Sequence, residues 1–220
     1  VDYGALRLSL WLAALTTLVL LAAGIPLASW LATTRWRGKV LVEALVSLPL
    51  VLPPTVLGFY LLVLMGPRSA PGRAWIALTG HPLAFTFEGL LVASTAATLP
   101  FAVQPIAASL AAVDRRLVEA SWSLGVSPLR TFLRVSLPLA APGVVAGAVL
   151  AFAHVLGEFG VVLMVGGNVP GETRTLSIAL FDAVEQLDYD AAGRTAAFLL
   201  AVSFAVLVLT HTLRPRPPRS

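Results

Sequence analysis

Long apolar runs alternate with short polar ones along the chain. Leu8 to Ala32 is the first run, Val40 to Met65 the second and Phe87 to Ala112 the third. Leu139 to Val165 is the fourth, and Arg194 to Leu213 the fifth. Crossing the hydrocarbon of a bilayer takes about 20 helical residues, so about five crossings fit. The runs are continuous and do not alternate within ten-residue segments, which predicts helices and not a barrel. Lipid also demands helices, because it offers backbone N–H and C=O groups no partner. The expectation is an all-α, polytopic helical membrane protein, with residues 1–220 forming one transmembrane domain. The first run is longer than a signal-peptide core and has no basic segment before it, so it reads as a span.

Besides the short basic link 33–39, three polar segments separate the runs: Gly66 to Thr86, Val113 to Pro138, and Gly166 to Gly193. The middle one carries its own punctuation. Asp114 is placed as an N-cap, and Leu117, Ala120, Ser121 and Leu124 follow at the spacing of one helix face. Gly125 is placed as a C′ glycine. Ser127-Pro128 reads as N-cap and N1 of a second short helix, with Leu129, Phe132 and Leu133 on one side and Pro138 as its end. The prediction is an amphipathic, basic helix–turn–helix at a membrane surface. A plain basic loop on anionic headgroups would not need the glycine or the ordered small residues.

The second run contains Pro49, Pro53 and Pro54, followed by Thr55. Each proline removes a donor and clashes with the preceding turn, and each biases the residue before it toward extended backbone. A break at membrane depth is tolerated only against protein or a water-filled cavity. It predicts either a discontinuity beside a translocation path or a kink packed on a neighbour. Pro100 and Pro105 repeat the feature in the third run, where Gln104 either faces a pore or bonds to a neighbouring helix. In the fourth run His154 and Glu158 are spaced i, i+4 and can face each other. One His and one Glu do not make a metal site, and the expectation there is a buried structural hydrogen bond from Glu158 to nearby backbone. Gly166 to Thr175 reads as a loop. Leu176, Ala179, Leu180, Ala183 and Val184 then predict an amphipathic helix lying flat on a membrane face. Arg174 is expected to pair with Glu172 or with an acidic patch on a partner.

Composition agrees with the pattern: 58% of residues are hydrophobic and 12% charged, against about a quarter charged in soluble domains. The net charge is +4. Its basic residues gather between and after spans, which argues for topology and against nucleic-acid binding. Arg35, Arg37 and Lys39, the stretch Arg115 to Arg134, and the tail residues Arg214, Arg216 and Arg219 all fall on one side if the N-terminus is outside and the C-terminus cytoplasmic. The absence of cysteine excludes thiolate metal sites and cysteine nucleophiles. There is no P-loop, so the chain does not hydrolyse ATP itself.

The middle segment resembles the EAA loop of ABC-importer permeases, through Glu119-Ala120-Ser121, Gly125 and Val135-Ser136-Leu137-Pro138. Ser121 stands for the third alanine and Val135 for isoleucine. Nearly the whole chain resembles the molybdate permeases of this class. The residues that carry the likeness are Leu48 to Gly58, Leu64 to Gly66, Leu156 to Gly160 and Gly167 to Thr175. Gly157 to Gly160 is shared with sulfate permeases.

The resemblance implies the type I ABC importer permease fold in a cell or inner membrane. Segment 113–138 would be the cytoplasmic coupling loop, with Glu119, Ala120, Ser121, Gly125, Val135, Leu137 and Pro138 meeting the ATPase. Pro49, Pro53, Pro54, Thr55, Gln104 and Glu158 would line the translocation pathway, and Glu172 and Arg174 would face a binding protein. The implied partners are a second copy of the chain, ABC ATPase subunits and an extracytoplasmic oxyanion-binding protein. No cofactor is expected on this chain; ATP and Mg would sit on the ATPase. The implied cargo is molybdate, with tungstate beside it and sulfate or thiosulfate as the alternative. An intramembrane enzyme built on Ser47, Ser94 and His154, or a proton-coupled transporter relaying through Glu158 and His154, would not need a docking loop.

Overall fold

A computed structural model of the protein describes residues 2–212. Leu213 and the tail residues Arg214, Arg216 and Arg219 lie outside the described residues. Helix α1 spans Tyr3–Thr33, and the Asp2 carboxylate caps it by accepting from the Ala5 N–H at 3.0 Å. At about 1.5 Å per residue it is some 46 Å long, more than a bilayer's hydrocarbon requires. Helix α2 (Lys39–Ser47) runs through a 3-10 turn at Leu48–Leu50 to a break, after which α3 (Pro54–Met65) leaves at 111°. A short α4 (Ala70–Thr79) precedes α5 (Phe87–Ala111). Then come α6 (Arg115–Ser123), α7 (Pro128–Leu139), α8 (Ala141–Gly157) and α9 (Gly160–Gly166). Helices α10 (Leu176–Glu185) and α11 (Tyr189–Thr212) complete the described chain. No strand occurs among the described residues.

Among the described residues, three helices are long and apolar enough to cross a membrane: α1, α5 and the Tyr189–Leu209 part of α11. The count reaches five if each bent pair, Lys39–Leu50 with Pro54–Met65 and Pro128–Leu139 with Ala141–Gly157, makes one crossing. The described residues therefore hold three to five candidate crossings, and the second bent pair joins the middle segment to the fourth run.

The centre of the bundle is α1, α5 and α8. Leu12 packs with Leu90, Val155 and Leu156 at one end, Leu20 with Ala102 and Ala151 in the middle, and Ala28 and Leu31 with Val103 and Ile106 at the other. Residue numbers rise together in α1 and α5 and fall in α8, so α8 is antiparallel to both. Lipid is as apolar as leucine, so close packing and not hydrophobic transfer must hold such helices together. Small residues make the closeness possible. A Cβ built on Gly147 would stand 2.8 Å from the Ala102 carbonyl oxygen, and one on Gly143 would meet the Pro105 oxygen at 2.6 Å.

Three expectations need correction. Pro138 does not end the second arm of the middle segment. The helix widens to a π turn over Phe132–Ser136, with Leu137 N–H bonding back to the Phe132 oxygen. This lets it carry Pro138, which has no N–H to give, as far as Leu139. The 70° turn comes at Ala140. Within the polar stretch Gly66 to Thr86, Ser69 caps α4 by accepting from Gly72 N–H and Gly80 closes it at φ +82°. The fifth helix starts at Tyr189, before Arg194, with the Asp188 carboxylate accepting from the Ala191 N–H at 2.9 Å. Finally, α10 does not lie flat. Its buried residues are the first turn, Leu176, Ser177 and Ile178, and the Leu176 N–H donates to the α1 hydroxyl of Ser9 at 2.7 Å. The helix enters the bundle end-on because its N-terminal donors find partners inside.

Filling the α5–α8 contact tests this packing. Gly147→Val should cost about 1–3 kcal/mol by overpacking. It should lower the thermal midpoint of the detergent-solubilised protein, whereas Gly193→Ala, which meets open space, should leave it nearly unchanged.

Candidate functional site

The segment 113–138 forms two arms around a glycine. The Asp114 carboxylate accepts from Arg116 N–H at 2.8 Å and starts α6. Gly125 has φ +77°. Its N–H bonds to the Trp122 oxygen at 2.9 Å, and the next N–H, of Val126, to the Ser121 oxygen at 3.2 Å. This is the Schellman pair, which satisfies carbonyls left over at the helix end and needs a left-handed residue at C′. Pro128 follows at the first position of α7. The N-cap, glycine and second N-terminus thus lie where the sequence puts them.

The faces of the two arms carry more information. Val118, Ser121, Thr131, Phe132 and Val135 turn back toward the bundle. Leu117, Leu124, Leu129 and Leu133 point away and are exposed, Leu124 by 83%. The predicted apolar stripe of α6 is therefore only partly covered by this chain. Glu119 is exposed and its Oε1 accepts from Arg115 Nε at 2.7 Å. Ser121 does something an alanine cannot. Its hydroxyl lies 2.9 Å from that of Thr131, which is 1% exposed, so a side-chain hydrogen bond joins the two arms. Of the remaining motif residues, Leu137 is half-buried, while Ala120 and Pro138 are exposed.

The proline break and the break in the fourth run meet each other. Pro53 is extended (φ −53°, ψ 133°), as a residue before proline should be, and Pro54 opens α3. In the other chain stretch, Glu158 is extended and α9 starts afresh at Gly160. A Cβ on Gly160 would touch Pro54 Cβ at 2.7 Å, and one on Gly58 would press on Met164 and the Val161 backbone. Glu158 holds its side of the crossing together. Its Oε1 accepts from Val161 N–H at 3.1 Å, its Oε2 lies 3.2 Å from His154 Nε2, and its carbonyl accepts from the Ser177 hydroxyl.

From this crossing a polar track runs over the α2–α5–α8 surface. The His154 ring stacks on Phe101 with centroids 4.0 Å apart. One turn on from Phe101, Gln104 donates to the Ser47 hydroxyl at 3.0 Å. Ser47 leads along the chain through Pro49 to Pro53, Pro54 and Thr55. Gln104, Pro53, Pro54 and Thr55 are exposed and Pro49 half-buried. Gln104 and Ser47 also line a cavity of about 380 Å³ that holds the Lys39–Glu43 ion pair, 3.3 Å long. Gln104 thus bonds to a neighbouring helix and borders this cavity. Glu158 is different. It is 7% exposed, so it stands behind the track as a support. Phe101 was not singled out by the sequence, and only the cross-helix ring contact reveals it.

At the other end of the bundle, Arg174 does not pair with Glu172. It reaches Asp182 of α10 at 3.3 Å and Asn168 at 2.6 Å, and Asn168 donates to Asp182 at 3.1 Å. The triangle ties loop 167–175 to α10 and leaves Glu172 exposed. No cluster of three or more metal-ligating side chains occurs among the described residues.

Residues 24–214 match the family model described as "Binding-protein-dependent transport system inner membrane component". The chain is 49% identical to the molybdenum transport system permease protein ModB of Azotobacter vinelandii, over 97% of this chain and 94% of that one. It is 36% identical to ModB of Escherichia coli strain K12, over 94% and 90%. A probable sulfate transport system permease of Prototheca wickerhamii is 33% identical over 84% of this chain and 73% of its own length. Among solved structures, a chain of the MetNI methionine ABC transporter in an inward-facing conformation superposes with a TM-score of 0.69 at 17% identity, covering 96% of this chain and 95% of that one. A chain of a bacterial alginate ABC transporter in complex with its periplasmic protein gives 0.74 at 17%, over 94% and 76%. These structural likenesses show that the fold is that of ABC importer membrane chains.

Asp182→Ala removes the acceptor that both Arg174 and Asn168 use. Amide hydrogen exchange across residues 167–175 should quicken several-fold, while exchange in α5 stays unchanged. Equal protection of the loop in the variant would mean that the triangle does not hold it.

Proposed function

The chain belongs to the family of binding-protein-dependent transport system inner membrane components, and we propose that it is the membrane-spanning permease subunit of an ATP-driven importer of molybdate. The observation that carries the substrate is the 49% identity to a molybdenum permease over almost the full length of both chains. The chain is a permease subunit and not an enzyme. Segment 113–138 faces the cytoplasm together with Arg35, Arg37 and Lys39, in keeping with the excess of positive charge on that side. The N-terminus is then outside. Two copies enclose the path, and an ATPase subunit docks under each. A binding protein delivers the oxyanion to the outer face, where Glu172 is exposed and Arg174 is held in the loop beside it.

The geometry supports a direct mechanical route. The exposed leucines of α6 and α7 give the ATPase an apolar surface, and Glu119 gives it a charge. Helix α7 passes its motion round the Ala140 turn into α8, which is about 25 Å long by helical rise. The far end of α8 carries His154 and then Glu158, beside the crossing with Pro54. A rotation imposed on the coupling segment therefore reaches the polar track without any loose joint.

The track suits an oxyanion. An ion at membrane depth needs polar groups or water in place of its hydration shell. Thr55, Gln104 and Ser47 offer neutral polar groups there; of the carboxylates nearby, Glu43 is paired with Lys39, and Glu158 is buried and paired with His154 and backbone N–H. Its negative charge is kept off the surface along which an anion would move. Pro49, Pro53 and Pro54 hold the backbone open at this point.

The test is ATPase activity of the reconstituted complex with its binding protein, titrated separately with molybdate, tungstate and sulfate. Stimulation by molybdate at concentrations where sulfate is inert is the expected result; stimulation by sulfate alone would keep the machinery and change the cargo. Gly125→Pro, which cannot adopt φ +77°, should abolish stimulation by at least tenfold while leaving the membrane fold intact by circular dichroism. Normal stimulation in that variant would refute the coupling role.

A further inference from the structure

A second cavity, of about 590 Å³, lies between the end of α1, the end of α5 and the two arms of the coupling segment. Its polar wall comprises Thr34 and Arg35 after α1, Arg115 and Trp122 of α6, and Ser136 of α7; Leu110, Val118 and Phe132 give it an apolar wall. The charges around it are unbalanced. Arg115 is paired with Glu119 and, nearby on the chain, Lys39 with Glu43. Arg35 has no acidic partner among the described residues. Thr34 accepts the Trp36 N–H at 3.3 Å, which leaves its own hydroxyl proton free to donate. The cavity thus presents donors and cations with apolar surface beside them. Its size is in the range of small-molecule sites and exceeds what a bare inorganic anion fills.

Its level in the membrane is also marked. Trp30 and Trp36 lie against each other at the same end of α1, ring centroids 6.2 Å apart, and both are exposed. Exposed tryptophans flanked by arginine mark the interface between hydrocarbon and water. A phosphodiester headgroup at this depth would meet the guanidinium of Arg35 and the hydroxyls of Thr34 and Ser136, with its glycerol against the apolar wall.

We infer that this cavity is a binding site for an anionic phospholipid headgroup of the cytoplasmic leaflet, seated between α1 and the coupling segment. The inference rests on the orientation given above, but not on the identity of the transported ion. A lipid held there bridges the rigid bundle, through Arg35, to the arms that meet the ATPase, through Arg115. Leaflet charge would thereby act on coupling.

The experiment uses the full complex, equilibrated with mixed micelles of phosphatidylglycerol and phosphatidylcholine, and reads retained lipid by native mass spectrometry. Phosphatidylglycerol should be retained in preference to phosphatidylcholine. Arg35→Gln should lower its retention roughly fivefold, the factor set by one basic residue at an anionic surface, and Arg35→Lys should keep most of it. Arg37→Gln, an equal loss of charge outside the cavity, should have little effect. Equal losses in Arg35→Gln and Arg37→Gln would reduce the effect to general surface attraction and overturn the site. Equal retention of the two lipids by the unaltered complex would overturn it as well. Displacement of the lipid by millimolar inorganic phosphate would reassign the cavity to a free anion. Lipid retention is read independently of transport, so a complex that carries sulfate instead of molybdate leaves the test intact.

Discussion

The contact between Pro54 and Gly160 is the constraint on which the rest of the structure depends. Two helices break inside the membrane region, and broken backbone there must find partners or be covered by protein. The breaks solve this together. Pro53 and Pro54 have no N–H groups to leave unpaired, and the Pro53 carbonyl accepts from Val56 and Leu57. On the other strand of the crossing, Glu158 supplies the acceptor for Val161 N–H, and Ser177 serves the Glu158 carbonyl. Gly160 is required because any side chain would collide with the proline ring. Each break is therefore stable only because the other lies against it.

The close α1–α5–α8 core makes that crossing useful. Glycine and alanine at the α5–α8 contact leave little room for α8 to slip sideways. Helix α8 joins segment 113–138 at one end and the crossing at the other. The backbone bends lie at its ends, at Ala140 and at Glu158–Phe159. Helix α10, inserted by its first turn against Ser9 and Glu158, closes the crossing from the opposite side.

Segment 113–138 shows how a departure from a motif can carry structure. An alanine at position 121 would allow close helix approach and nothing else. Serine keeps the small size and adds a hydroxyl bond to Thr131, so the angle between the arms is set by the Gly125 turn and by a side-chain link ten residues apart. The outward leucines do the opposite: they are unfinished surface, consistent with a segment whose apolar face is completed by another chain.

Much of this was legible in the sequence, for a physical reason. Lipid restricts the backbone to helices, so continuous apolar runs predict the elements, and local chemistry predicts their punctuation. Asp114, Gly125 and Pro128 act through bonds or dihedral angles within a few residues, and they appear where expected. The pairing of His154 with Glu158 is likewise a matter of helical spacing. What sequence alone left open depends on contacts between distant segments. It could not say that the proline break faces Gly160, that Gln104 finds Ser47, or that Arg174 turns to Asp182. Nor could it show Pro138 carried inside a widened helix, since the π turn depends on how α7 is anchored at Thr131 and Ala140. Local chemistry determined where the chain turns; only tertiary packing decided what each turn meets, because those partners are dozens of residues apart and no short-range periodicity encodes them.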